Sequence, residues 1–179
     1  MVEALVNGFT AGIIGVLGVL IGGILTYRLG LKAEKSLIRM KIKVEKIQNT
    51  QKDLLDMARQ MGIMSVAVKN YEFDKIDYET YCKTSDEVQD KISHLIRSIR
   101  VNEFVINNHM DQIDKLIDDS IAISDILYER YRNPDCQVKR YDSGEITFED
   151  INKKINGFMR STIDIKDELS DQIDKELTT

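Results

Sequence analysis

The residues with reactive side chains in this chain are two histidines, two cysteines and a surplus of carboxylates. His94 follows Asp90 by one helical turn, which places two potential metal ligands on one face. His109 has Asp111 and Asp114 nearby, and Arg97, Arg100 and His109 are too widely spaced for an Arg-to-His catalytic motif on one helix. Asp118-Asp119 and Asp167-Glu168 are adjacent in sequence, so on a helix they point apart and suit solvation better than shared proton chemistry. With 30 Asp and Glu in the chain, such proximities arise by chance, and both histidines read as solvated helix surface. There is no GxxxxGK[ST], no dinucleotide glycine fingerprint, no HExxH, no GxSxG and no CxxC. The sequence therefore predicts no catalytic residue, no metal site, no cofactor and no small-molecule substrate. It reads as a non-enzyme.

The elements that would position any working surface begin with Ala4 to Tyr27, a run without a charged residue. As a helix it would rise roughly 36 Å, so the expectation is a transmembrane span. Met1-Val2-Glu3 carries no Lys or Arg and no small-x-small site follows the run, which argues against a cleaved signal. Arg28, Lys32, Lys35, Arg39, Lys41, Lys43 and Lys46 follow the run, and no basic residue precedes it. That asymmetry predicts a single-pass protein of the cell membrane, with the N-terminus outside and the rest cytoplasmic. The same seven residues are candidates for anionic lipid headgroups. Gly8, Ala11, Gly15, Gly18 and Gly22 recur at alternating steps of 3 and 4, a small-residue seam suited to close packing of membrane helices. It predicts a homo-oligomer or a membrane-protein partner.

Beyond the run, charge is unevenly spread. Residues 28–69 carry ten Lys or Arg against four Asp or Glu, whereas residues 70–179 carry fifteen against 25. An acidic body makes nucleic acid an unfavourable partner. Leu37, Met40, Val44, Ile47, Gln51, Leu54, Ala58, Met61, Ser65 and Val68 form a 3–4 seam within a helix over residues 31–68. Gly62 lies within its Met57, Met61, Met64 group. A connector at 70–77 leads to a second helix, starting near Tyr78 or at the Thr84-to-Glu87 capping box. Its seam is Tyr81, Ser85, Val88, Ile92, Leu95 and Ile99. A turn over 101–108 is expected, with Asn108 capping a third helix that carries Met110, Ile113, Ile117, Ser120, Ser124, Leu127 and Tyr131. Asn133-Pro134 ends it and opens the longest loop, 133–147. Thr147, with Asp150 three residues on, caps a last helix running to about Leu177.

The fold expected is all-α: a single N-terminal transmembrane helix, continuous with a long stalk helix, followed by an antiparallel cytoplasmic bundle of about four helices. The domains would be an anchor at 1–30, a basic juxtamembrane stalk at 31–46 and the bundle at 47–179. An up-and-down order brings the 70–77 and 133–147 turns to one end. Tyr71, Tyr78, Tyr81, Tyr128, Tyr131 and Tyr141 gather there with Phe73, Phe148, Cys82 and Cys136. These rings either plug the bundle or face a partner. Over residues 1–69 a single span feeding a long charged helix resembles the stator b subunit of rotary ATP synthases; the later turns end that likeness, and it implies no residue role. The function expected is a membrane-anchored, helical-bundle interaction protein that pairs or oligomerises through its Gly-rich span. The second reading is a membrane-perturbing effector, of toxin or abortive-infection type, whose span assembles into an oligomer regulated by the bundle.

Overall fold

A computed structural model describes the backbone of residues 2–134 and 146–178, and the side chains of residues 19–134 and 146–178. Helix α1 (Val2–Glu72) comes first, then α2 (Tyr78–Val101), the single turn α3 (Glu103–Ile106), α4 (Met110–Leu127) and α5 (Phe148–Thr178). A 3₁₀ turn, Asn107–His109, leads into α4, and a π turn, Tyr128–Arg132, extends it. The chain divides into two compact units, Met1–Lys43 and Val44–Thr179.

The second unit is a four-helix bundle. From Ile47 onward α1 buries Ile47, Leu54, Met57, Ala58, Met61, Met64, Ala67 and Val68, following the 3–4 seam of the sequence. Gln51 and Ser65, the polar members of that seam, sit at its edge and reach across to α5. Gln51 donates to the Lys166 carbonyl at 2.9 Å and to Ser170 at 2.8 Å, and Ser65 donates to Asn152 at 2.5 Å. As α1 advances, its α5 partner recedes, so the two helices are antiparallel. The same holds for α2 and α4, where Arg100 pairs with Asp114 at 2.6 Å and Arg132, just beyond α4, with Asp86. Helix α2 buries Tyr81, Ser85, Val88, Ile92 and Ile99, and α5 buries Ile151, Ile155, Phe158, Ile165 and Leu169. Helix α4 buries a wider face than its seam foretold, adding Leu116, Ile123 and Ile126. Hydroxyls in this core bond to their own helix: Thr50 to the Lys46 carbonyl at 3.1 Å, Ser120 to Ile117 at 2.7 Å and Thr162 to Phe158 at 2.8 Å. That back-bonding satisfies them away from water.

Several expectations fail. Among the described residues no helix is long and apolar enough to cross a membrane. The single-pass cell-membrane placement, with an outer N-terminus and a cytoplasmic bundle, is therefore overturned, and the anchor and juxtamembrane labels lose their basis. Of the small-residue seam, Gly8, Ala11, Gly15 and Gly18 lie where side chains are not described; Gly22 has open space where a Cβ would stand. Leu37 is 60% exposed, because the buried seam begins ten residues later. Helix α1 runs through Gly62 without a break, and the Met159 methyl lies 3.8 Å from where a Cβ would be.

The caps also differ. Helix α2 starts at Tyr78, where Asp77 accepts from the Thr80 N–H at 2.8 Å; Thr84 sits mid-helix and donates to the Thr80 carbonyl. A side chain within a continuous helix can satisfy the preceding turn, so the Thr84 box never acts as a start. Helix α4 begins after His109 without a side-chain cap, not at Asn108, and the expected turn holds α3 and the 3₁₀ turn. Thr147 and Asp150 do cap α5 reciprocally, Thr147 N–H to Asp150 at 3.0 Å and Asp150 N–H to Thr147 at 3.2 Å.

Candidate functional site

The end of the bundle where α1 gives way to α2 concentrates aromatic side chains. Helix α1 closes with Asp74 in the left-handed region at φ 54°, its N–H bonding the Tyr71 carbonyl at 3.1 Å. The Lys75 N–H bonds the Asn70 carbonyl at 2.8 Å, completing a Schellman closure built on Asp where glycine is commoner. That tight reversal lets Tyr71 on α1 stack on Tyr81 of α2, ring centroids 4.9 Å apart and planes 17° from parallel. Tyr131, from the π turn, meets both edge-on at 5.8 and 5.5 Å, and Phe73 meets Phe148 of α5 at 6.3 Å. The 73–77 connector, the π turn that ends α4 and the start of α5 thus share one end of the bundle, as an up-and-down order requires.

A polar clasp flanks the rings. Glu72, the last residue of α1, accepts from Arg130 at 3.0 Å and from the Tyr131 hydroxyl, while Arg130 also donates to the Ile146 carbonyl. The Arg130 guanidinium stands 5.3 Å from the Tyr131 ring centre. The π turn, closed by the Asn133 N–H on the Tyr128 carbonyl at 2.9 Å, brings the adjacent residues Arg130 and Tyr131 to one carboxylate. Burial raises the Tyr81 and Tyr131 phenols above their ordinary range, and for Tyr131 the hydrogen bond to Glu72 adds to it. The Tyr81 hydroxyl is buried with no hydrogen-bond partner among the described residues.

Beside this end lies an apolar groove of about 550 Å³ between α1 and α2. Arg59, Ile63, Val66 and Asn70 line its α1 wall at spacings of 4, 3 and 4, and Ile76, Thr80 and Thr84 line the other. Ile63 is 39% exposed and Val66 58%, although both are branched aliphatic residues.

The expected partner surface divides. Tyr81 is fully buried, and Tyr71 and Tyr131 are half-buried, so these three plug the bundle and Tyr81 is unavailable to a partner. Phe73, Tyr78 and Tyr128 are exposed, while Tyr141 and Cys136 lie outside the described residues. Cys82 is a half-buried free thiol. Arg28, Lys32, Lys35, Arg39 and Lys41 are exposed, and Lys43 and Lys46 half-buried. His109 turns to Glu168 at 3.2 Å, His94 is exposed, and the described residues hold no group of three metal-ligating side chains. The groove was missed in the sequence. Its only signal was Ile63 and Val66, apolar residues off the seam. No family model, curated protein or solved structure matches the chain.

Proposed function

We propose that the protein is a binding module whose bundle seats the apolar face of a partner helix in the groove between α1 and α2. The observation that carries this is the groove itself, which holds Ile63 and Val66 at the surface beside an already plugged aromatic end. Exposed aliphatic side chains that line a concavity gain about 25 cal/mol per Å² when covered. Arg59 to Asn70 extends about 16 Å along α1, enough to receive apolar residues at i, i+4 and i+7 of an approaching helix. Arg59, exposed at one end of that wall, selects a partner with an acidic residue flanking its apolar face. Exposed Phe73 and Tyr78, at the same end of the bundle, extend the apolar surface available to such a partner.

Methyl NMR on the intact chain tests the reading with synthetic amphipathic peptides carrying either acidic or basic flanks. Acid-flanked peptides should shift the Ile63 and Val66 methyl signals in a saturable way, and Val66→Asp should abolish the effect with an unchanged melting temperature. Shifts confined to other methyls, or equal shifts with both peptide types, would overturn it.

A further inference from the structure

The first unit presents a pattern that the groove does not use. Wound at about 100° per residue, Arg28, Lys32, Lys35 and Arg39 fall within a narrow arc, at spacings of 4, 3 and 4, and all are exposed. Leu20, Ile24, Leu31, Ile38 and Ile42 fall on an adjoining stripe, at spacings of 4, 7, 7 and 4, and are exposed as well. Lys41 and Glu34 project together on the opposite flank of that stripe. Between residues 28 and 43 there are six Lys or Arg against Glu34 alone.

We propose that α1 between residues 19 and 43 lies along an anionic lipid surface, its aliphatic stripe sunk to the acyl boundary and its cations on the headgroups. An apolar stripe bordered on one side by an arc of four cations, with Lys41 and Glu34 together on the other, has the chemistry of a helix lying in the plane of an interface. The aliphatic side chains leave water, and the Lys and Arg stems reach sideways to phosphate. Adsorption of this kind crosses nothing. A nucleic acid would satisfy the cations but leave the aliphatic stripe in water, so the two features together favour lipid. A second parallel copy would cover the stripe but bring like-charged arcs close together, which charge opposes.

Flotation of the full chain with vesicles decides it, using phosphatidylcholine alone and phosphatidylcholine with a third phosphatidylglycerol. The chain should float with the anionic vesicles, remain behind with the neutral ones, and detach as salt rises. A charge variant, Arg28→Glu with Lys32→Glu, Lys35→Glu and Arg39→Glu, should lose binding at least about a hundredfold. An aliphatic variant, Ile38→Asp with Ile42→Asp, should lose it at least about tenfold. Both variants alter exposed residues outside the bundle core, so their melting should match that of the parent chain. Equal flotation with neutral vesicles overturns the proposal. So does loss in the charge variant with full binding in the aliphatic one, which, with matching retention on single-stranded RNA, would mark a polyanion site. Failure of the parent chain to float, or concentration-dependent self-association that the aliphatic variant removes, overturns it too. None of these outcomes touches the groove, which is read by methyl shifts.

Discussion

The two ends of the bundle are closed by different chemistry. At one end Tyr71, Tyr81 and Tyr131 stack and wedge, with a charged clasp, Glu72 to Arg130 and Tyr131, on their border. At the other, where α2 turns through α3 into α4, closure is by the aliphatic side chains of Ile99, Val105, Ile106 and Met110, with amides and hydroxyls bridging the elements. Asn102 is buried and donates to Thr50 at 3.3 Å, and Gln172 of α5 donates to the Val105 carbonyl at 3.1 Å. Ring packing excludes water over a large area and tolerates small shifts, whereas an amide bridge fixes register but contributes little net energy. The aromatic end should therefore carry the stability of closure and the amide end its geometry.

The widest gap between the ends should come from truncation. Tyr81→Ala removes a fully buried ring from the stack and should cost about 3–5 kcal/mol, whereas Asn102→Ala should cost only about 1 kcal/mol. Urea unfolding followed by circular dichroism measures both, and equal losses would erase the distinction.

A finer test separates ring from hydroxyl. Tyr131→Phe deletes a hydrogen bond to a carboxylate and should cost about 1.5–3 kcal/mol. Tyr81→Phe deletes a hydroxyl with no partner, so stability should stay level or rise slightly. Both phenols are raised from 10.0, so the fold favours their neutral forms. Their contribution is complete below pH 10 and is lost as pH climbs past it, so each Phe variant should flatten the alkaline limb of the stability profile.

The smallest effect concerns the cap that follows the aromatic turn. Thr80 holds the Asp77 carboxyl below its ordinary 3.8, as Thr147 does for Asp150 at the start of α5. A depressed folded-state value means a contribution present above pH 3.8 and lost as pH falls below it. Asp77→Asn should keep the cap at pH 7, since Asn caps as well, and should flatten the thermal-melting profile between pH 4 and 2.

How much of this was legible in the sequence follows from which forces are local. The seam of α2, and that of α1 from Ile47, were readable because a two-turn apolar period reflects burial directly. Leu37 has the right spacing yet is 60% exposed, because periodicity does not state where burial begins. The Thr147 cap was readable as a reciprocal local pair, while the Thr84 box, with equally good letters, lost to the continuity of α2. The gathering of tyrosines followed from topology alone. Which of them would be buried did not, since that depends on the π turn and on Asp74 adopting φ 54°, neither of which has a sequence signature here. The groove was hidden for a related reason: its two walls meet only after the chain reverses.

Met57, Met61 and Met64 line the centre of the bundle at 0, 1 and 1% exposure. Their thioethers can react with peroxide only while the helices are apart, whereas Met40 and Met159, half-buried, can be attacked in the closed state. A sulfoxide formed at the centre is polar and does not repack as a thioether does, so each opening that coincides with an oxidant is recorded in covalent form. The core is thereby a clock, whose rate of oxygen uptake reads how often the bundle opens.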